Sequence, residues 1–239
     1  MVSLLSQIKN SPIINVLEPG STFKIVTLAA ALEEGVVDLD DTFTCTGSRT
    51  IAGERIKCWK TKGHGTQTLA EGVNNSCNCV FMDLALRLGV ERYYHYLEKF
   101  GIGIKSGVDF YGEPSGILLN QERVRDVDLA RIGFGQAIAV SPIQFIATVS
   151  ALVGDGVLRT PRFVKRVGEN TLASNVKERI VSAETSATLS QLLYGVVSQG
   201  SGKKAAVAGY QIGGKTGTAQ KYADGHIAAG KYVSSFLGY

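Results

Sequence analysis

Residues 18–24 read Glu-Pro-Gly-Ser-Thr-Phe-Lys, and an apolar run over residues 23–32 follows them. The Pro-Gly pair predicts a turn, and the run predicts a helix over residues 21–34 that stops at a glycine. Because the run is apolar on nearly every face, we expect this helix to be buried at the centre of the domain. Three residues along a helix place Ser21 and Lys24 on one face, a turn apart.

Ser21 and Lys24 have the spacing of a nucleophile and its base. A serine hydroxyl is a poor nucleophile unless a base lies beside it. Burial disfavours the ammonium form of a lysine, so Lys24 can become that base. The N-terminus of the helix adds backbone N–H groups and a positive dipole end near Ser21. An isolated Ser-x-x-Lys is more often a helix cap and an exposed lysine, so the assignment needs further motifs.

A second motif, Ser-x-Asn, is formed by Ser76, Cys77 and Asn78. It ends a polar cluster just before a predicted helix over residues 77–88. A hydroxyl and an amide at this spacing can relay a proton and bind a peptide group. The alternative is that a polar residue of the cluster only caps the helix.

A third motif, Lys-Thr-Gly, occupies residues 215–217 in a stretch rich in glycine. Alternating short residues predict an extended strand edge, and Gly217 would let a substrate approach the backbone closely. Lys215, Thr216 and Thr218 would then present a cation and two hydroxyls to a carboxylate.

The same region also satisfies a phosphate-loop pattern, G-x-x-x-x-G-K-[ST], over residues 209–216. That pattern requires a helix directly afterwards, whose N-terminus receives the phosphates. Residues 217–225 contain two glycines and no apolar periodicity, which disfavours such a helix. A nucleotide site is therefore the weaker interpretation.

The three motifs in this order are typical of serine enzymes that form an acyl-enzyme with penicillin. The chain resembles the transpeptidase domain of class B penicillin-binding proteins from about residue 13 to residue 239. The stretches that carry the resemblance are residues 18–24, 112–116, 134–136 and 213–220. The stage V sporulation protein D group is the most similar subgroup, with the division-specific peptidoglycan transpeptidases close behind. Residues 56–60, 63–65 and 75–78 indicate that subgroup.

The resemblance implies a catalytic role for four residues. Ser21 would be the acylated nucleophile and Lys24 its base. Ser76 would carry the proton to the leaving amine. Lys215 would tune the electrostatic field at the site and the proton relay. Backbone N–H groups of Ser21 and Thr218 would form an oxyanion hole.

The resemblance also implies the substrate and the partners. Asn78 would hold the substrate amide, while Thr216, Gly217 and Thr218 would bind the terminal carboxylate. The substrates would be peptidoglycan stem peptides ending in D-Ala-D-Ala, with β-lactams as mimics and no cofactor needed for catalysis. The full-length protein would be anchored in the cell membrane, with an extracytoplasmic catalytic domain and a glycosyltransferase partner.

The sequence predicts a helix-rich α+β domain, and the resemblance specifies the penicillin-binding and serine β-lactamase-like fold. Helices are predicted near residues 21–34, 68–74, 77–88, 90–99, 126–133, 141–154 and 183–199. Strands are predicted near residues 43–51, 54–60, 158–166 and 207–220. Compared with the family, residues 1–239 are expected to be a partial transpeptidase domain. Its central antiparallel sheet would be truncated at both ends, leaving the chain less stable than an extended one.

Four cysteines and one histidine raise the possibility of a structural zinc site. The predicted ligands are Cys58, His64, Cys77 and Cys79, with Cys45 as the alternative thiol. Cys45 and Cys58 flank a predicted hairpin, which would make them diagonal neighbours on one face. The spacing matches no standard zinc finger, so buried free thiols and a disulfide stay open as alternatives.

Other function classes are less well supported. A net charge of +4 is too small and too scattered to predict a nucleic-acid surface. Residues 136–153 are the longest apolar region, but Ser141 and Pro142 predict a helix start within it, which disfavours a membrane segment. An inactive fragment, a structural zinc or β-lactam-binding module, and a serine β-lactamase remain alternatives to a transpeptidase.

Overall fold

The computed structural model describes residues 9–173, 175–223 and 226–239. Short 3₁₀ turns occur at Gly20–Phe23, Gln121–Arg123 and Lys203–Ala205. The α-helices are α1 (Ser11–Ile14), α2 (Lys24–Glu33), α3 (Leu69–Asn74), α4 (Asn78–Lys99), α5 (Asp126–Gly133), α6 (Pro142–Val153) and α7 (Ala183–Ser198). The strands are β1 (Thr42–Cys45), β2 (Ser48–Ile51), β3 (Glu54–Lys57), β4 (Gly65–Thr68), β5 (Val157–Arg159), β6 (Arg166–Val167), β7 (Asn170–Thr171), β8 (Val176–Arg179), β9 (Gly214–Ala223) and β10 (His226–Gly238).

Helix α2 is the buried centre of the domain, as its apolar sequence predicts. It packs against α4, α6 and α7. Eight of its ten residues, Lys24 to Ala31, are buried. Removing this apolar surface from water is the main stabilising contribution to such a core. The polar side chains within α2 are therefore forced to find partners inside the protein.

Helix α4 runs from Asn78 to Lys99 and is interrupted at Gly89, whose φ is 72°. This break matches the prediction of two helices, over residues 77–88 and 90–99. The first half of α4 is buried, and the helix packs against both α2 and α5. Its N-terminus lies directly after Ser76 and Cys77, so packing of α4 fixes where the Ser-x-Asn motif sits.

The strands form antiparallel pairs, β1 with β4, β2 with β3, β5 with β8, β6 with β7 and β9 with β10. In the last pair Lys215 lies opposite Leu237 and Gly217 opposite Ser235. Helix α7 and the turn at Gly20–Phe23 both contact β9. The hairpin β9–β10 therefore forms one wall around the start of α2.

Two predicted strands are each divided. The stretch 43–51 is not one strand but β1 and β2, which pair with different partners on either side of Gly47. Cys45 and Cys58 flank the hairpin β2–β3 as predicted and their sulfur atoms lie within 4.8 Å of each other, but Cys45 belongs to β1, which pairs with β4 and is not part of that hairpin. The stretch 158–166 is likewise split into β5 and β6, with Pro161, which lacks an N–H donor, between them.

Two further predictions are decided by the fold. The strand predicted over 207–220 begins only at Gly214. Lys215 and Thr216 lie within strand β9, which continues to Ala223 with no helix directly after them, so the phosphate-loop interpretation is wrong. Residues 224 and 225 of that argument lie outside the described residues. Among the helices that the structure describes, none is long and apolar enough to cross a membrane.

Candidate active site

Ser21 lies in the 3₁₀ turn Gly20–Phe23 that leads into helix α2. The Gly20 N–H donates to the carbonyl of Gly135 at 3.1 Å. Gly135 has a φ of 87°, and a Cβ added there would lie 1.9 Å from the carbonyl oxygen of Gly20. A glycine is therefore required at position 135, because the two main chains meet at van der Waals distance. This contact fixes the turn that presents Ser21.

Ser76 occupies the C-terminal end of helix α3 in a left-handed conformation, with a φ of 50°. Its N–H donates to the Val73 carbonyl at 3.0 Å, and the Cys77 N–H donates to the Gly72 carbonyl at 2.9 Å. These two bonds form a Schellman motif, in which glycine is the usual left-handed residue. A serine in this conformation carries strain of about 1 kcal/mol. Strained residues that the surroundings enforce are common at active sites.

Lys24 joins the first two motifs inside the protein. Its Nζ donates to the Ser76 carbonyl at 2.8 Å, to Ser76 Oγ at 3.1 Å and to Asn78 Oδ1 at 2.7 Å. The side chain is fully buried, and burial lowers the pKa of Lys24 to about 7. Charge interaction with Cys58, whose own pKa is lowered by its cysteine neighbours, opposes this shift. Burial therefore brings the neutral amine, the form that a base requires, within reach near neutral pH, while the three donated bonds are those of the protonated form.

Lys215 brings the third motif to the same hydroxyl. Its Nζ donates to Ser76 Oγ at 2.7 Å and to the Thr216 carbonyl at 3.2 Å. Burial lowers the pKa of Lys215 well below its usual value, and the charge of Lys24 lowers it further. Two buried amines thus converge on one serine hydroxyl, an arrangement that suits proton relay.

Strand β9 presents alternate residues to the two sides of the hairpin. Thr216 and Thr218 line a cleft of about 690 Å³ together with Ser21, whereas Lys215 and Gly217 are buried. A Cβ at Gly217 would lie 2.9 Å from Thr22 Cγ2 and 3.2 Å from the Pro19 carbonyl oxygen. Ser235 Oγ of β10 would lie closer still, at 2.5 Å. Close packing on β10 and on the turn that contains Ser21 therefore explains the glycine, while its role in substrate binding stays a prediction.

The cleft also contains residues to which the motifs assign no role. Glu18 lies beside the nucleophile turn, and burial raises its pKa. Ser201 Oγ lies 3.4 Å from Thr216 Oγ1, and Trp59 borders the opposite side. The sequence analysis assigned no role to Trp59, the only tryptophan, or to Ser201, which lies between two glycines. Further lining residues are Lys57, Asn75, Phe134, Gln136 and Ala219.

A cluster of cysteines and one histidine includes Cys77, the middle residue of the Ser-x-Asn motif. The ligand atoms of Cys45, Cys58, His64 and Cys77 all lie within 4.8 Å of one another. The Sγ atoms of Cys58 and Cys77 are 4.0 Å apart, and His64 Nδ1 is 3.8 Å from Cys58 Sγ. The cysteines are all buried and free. The disulfide alternative is therefore not realised in this structure.

The set of four differs from the predicted one at a single position. Cys79 was the predicted ligand and Cys45 the alternative, and the structure places Cys45 in the set and Cys79 outside it. The reason is the β1–β4 register, which pairs Cys45 with Gly65 and so brings it next to His64. Sequence spacing along residues 77–79 could not reveal that pairing.

The cluster has the composition of a zinc site. Three thiols and one imidazole are a common structural donor set, and about 2.3 Å Zn–S bonds require thiols roughly as close as these. His64 Nε2 is buried and has no hydrogen-bond partner. Burial lowers the pKa of His64, which favours the neutral imidazole that binds metals. Hydrogen bonds with Cys77 and Cys79 lower the pKa of the Cys58 thiol.

Comparison with known proteins agrees with this geometry. The family model of the penicillin binding protein transpeptidase domain matches residues 2–239. The chain belongs to this family. The resemblance stated from the motifs and the predicted fold class are both confirmed.

Individual relatives lead to the same family. The chain is 46% identical over 239 residues to stage V sporulation protein D of Bacillus subtilis, covering 97% of this chain and 37% of that protein. Penicillin binding protein 3 from Mycobacterium tuberculosis, complexed with ampicillin, superposes with a TM-score of 0.89 at 32% identity. That match covers 97% of this chain and 54% of the other. The D,D-transpeptidase domain of a peptidoglycan glycosyltransferase from Eggerthella lenta superposes with a TM-score of 0.88 at 26% identity. That match covers 97% of this chain and 59% of the other. The chain thus spans little more than a third of the stage V protein.

Proposed function

We propose that this transpeptidase domain is a serine D,D-transpeptidase that cross-links peptidoglycan stem peptides through an acyl-enzyme on Ser21. The observation that carries the proposal is the convergence of Lys24 and Lys215 on Ser76 Oγ, next to the turn that holds Ser21. A buried lysine of lowered pKa is the base that a serine nucleophile needs. The relatives named for penicillin binding and D,D-transpeptidation support this function.

In the proposed reaction, Ser21 Oγ attacks the carbonyl of the penultimate D-Ala while Lys24 accepts the hydroxyl proton. Ser76 passes a proton to the nitrogen of the terminal D-Ala, which leaves as the free amino acid. An amine from a neighbouring strand then attacks the Ser21 ester and loses a proton through the same relay. The new amide forms and the Ser21 hydroxyl is restored.

The remaining cleft residues have positions that suit recognition. Asn78 lies at the start of helix α4 and would hold the peptide backbone of the donor. Thr216 and Thr218 face the cleft from β9 and would bind the terminal carboxylate, with Gly217 between them. A β-lactam would acylate Ser21 in the same way, but its opened ring keeps the leaving nitrogen tethered. The adduct is therefore expected to be long-lived.

Fluorescent penicillin tests the proposal. Intact mass spectrometry should show one added drug mass per chain, and peptide mapping should place it in the segment containing Ser21. A stem peptide ending in D-Ala-D-Ala should slow labelling, and the matched peptide ending in L-Ala-L-Ala should not. Absence of an adduct would favour the inactive or binding-module alternatives, and rapid release of hydrolysed drug would favour a β-lactamase.

A second part of the proposal concerns the full-length protein. We propose a membrane-anchored protein with an extracytoplasmic catalytic domain, a glycosyltransferase partner and a role in sporulation or division. Similarity to stage V sporulation protein D favours sporulation. That residues 1–239 are part of a longer domain with further sheet strands stays a prediction.

We also propose that Cys45, Cys58, His64 and Cys77 bind a structural zinc ion. Zinc would supply no catalytic step; when bound, it would cross-link strand β1, the loop after β3 and the residue between Ser76 and Asn78. The support is the grouping of the four ligand atoms, with His64 Nδ1 lying 3.8 Å from Cys58 Sγ. Metal binding of this kind adds directly to folding stability.

Elemental analysis should find about one zinc per chain after purification with added zinc. Cys45→Ser should lower the zinc content and the melting temperature. Cys79→Ser is the comparison variant and should keep more of the metal than Cys45→Ser, because Cys79 contacts the cluster thiols but lies outside the set of four ligand atoms. Cobalt substitution should give sulfur-to-metal charge-transfer bands that Cys45→Ser weakens. Zinc loss in Cys79→Ser together with full retention in Cys45→Ser would reverse the ligand assignment.

A further inference from the structure

Trp59 is a large aromatic residue that borders the cleft and has no assigned role. It is the only tryptophan of the chain and is 61% exposed. It follows Cys58 in the loop between β3 and β4. Its ring meets the His64 ring edge to face, with centroids 5.3 Å apart. The apolar face of the indole is left largely in solvent, so burial of the ring does not explain its position.

The indole N–H has a specific pair of acceptors. Trp59 Nε1 donates to the carbonyl oxygens of Asn75 and Ser76, each at 3.1 Å. These carbonyls belong to the C-terminal end of helix α3, where the helix itself supplies no donors. The Ser76 carbonyl also accepts from Lys24 Nζ at 2.8 Å. One indole thus holds the main chain of the residue on which both catalytic lysines converge.

The two donors to the Ser76 carbonyl differ in chemistry. Lys24 changes its hydrogen bonding as it takes up and releases a proton. The indole N–H does not titrate, so it stays a donor throughout the reaction. A left-handed serine relaxes easily to another conformation unless its surroundings enforce it. Trp59 therefore supplies a constant side-chain restraint on Ser76, in addition to the two main-chain bonds of the Schellman motif.

We propose that Trp59 is a positioning residue for acyl transfer, whose indole N–H holds Ser76 in the left-handed conformation that keeps Ser76 Oγ between Lys24 and Lys215. This inference rests on the proposed transpeptidase function. It assigns the effect to the N–H group and not to the aromatic surface. Removal of the N–H alone should then slow acylation without weakening the initial, non-covalent binding of the drug.

The sharpest variant replaces Trp59 with benzothienylalanine, which keeps the two-ring shape and lacks the N–H. Stopped-flow acylation by a slow penicillin separates the initial dissociation constant from the acylation rate constant. We expect the rate constant to fall about tenfold, the size of one well-placed hydrogen bond, with the dissociation constant within about twofold. Trp59→Phe should show the same loss of rate, and denaturant melts of both should confirm folding.

Tyr210→Phe is the matched control, because it removes one hydrogen-bond donor from an exposed aromatic residue outside the cleft. It should acylate at the unsubstituted rate. Unchanged rate constants in the benzothienylalanine variant would overturn the inference. A change confined to the dissociation constant would also overturn it, because the ring and not the N–H would then matter.

The proposed function and this inference fail in different ways. If the unsubstituted chain does not react with penicillin, the transpeptidase proposal fails. The restraint is then judged from the single indole N–H signal in a nitrogen-15 NMR spectrum. Hydrogen exchange of this signal much slower than that of free tryptophan supports the restraint, and exchange as fast as that of free tryptophan overturns it.

Discussion

Ser21→Ala should abolish covalent penicillin labelling while leaving the fold intact. Ser21 is only partly buried in the turn before helix α2, and removing its hydroxyl creates no cavity of consequence. No other side chain in the cleft combines a hydroxyl with the position at the N-terminus of this helix. Intact mass after penicillin should therefore show no added drug mass, and the denaturant midpoint should match that of the unsubstituted chain.

Ser198→Ala is the control for that experiment. Ser198 is an exposed serine of helix α7 whose hydroxyl bonds to the Tyr194 carbonyl. The Ser198→Ala variant should be fully labelled by penicillin. An adduct of one drug mass in Ser21→Ala would show that another nucleophile reacts with penicillin. The assignment of Ser21 as the nucleophile would then be wrong.

Lys24→Met should lower the acylation rate by about 10²–10⁴-fold, the usual contribution of a positioned base. Methionine keeps most of the side-chain volume but removes the amine that bonds Ser76 and Asn78. Because a buried amine with a lowered pKa opposes folding, the substitution should not destabilise the protein strongly. Lys105→Met, at an exposed lysine, should leave both rate and stability unchanged. A Lys24→Met rate within a few-fold of the unsubstituted rate would exclude Lys24 as the base.

The pH profile tests the same residue. The neutral amine is the active form, and the pKa of Lys24 is lowered to about 7. The acylation rate of the unsubstituted chain should therefore rise as pH increases through about 7 and level off above it. Lys24→Met should lose this ascending limb. A rate independent of pH from about 6 to 9 in the unsubstituted chain would contradict the assignment.

Sequence patterns predicted the elements that depend on local periodicity. The buried helix α2, the break at Gly89 and the start of α6 after Ser141 all follow from short-range apolar spacing and turn residues. The three motifs also converge as predicted, because their roles depend on residue types that the family motifs specify. The hydrogen bonds of Lys24 and Lys215 to Ser76 Oγ are consistent with the roles predicted for them, which stay predictions.

Other features depend on contacts between distant segments. The membership of Cys45 in the cysteine cluster follows from which strand pairs with β1, and periodicity is silent on pairing. The left-handed backbone conformation of Ser76 could not be predicted from the sequence, because glycine usually occupies that conformation. Trp59 gave no local signal for its indole bonds, since its acceptors are carbonyls that every residue carries.

The contact between Gly135 and Gly20 has a consequence for protein synthesis. The ribosome makes the Ser21 segment early, whereas Gly135 and then Lys215 emerge much later. Until both are synthesised, the turn lacks the hydrogen bond between Gly20 and Gly135, and Ser76 Oγ lacks the hydrogen bond from Lys215. Such long-range closure comes late in folding. If Ser21 is the nucleophile as proposed, we expect the nascent polypeptide to carry an unreactive serine until the domain closes, so that unfinished chains are not acylated.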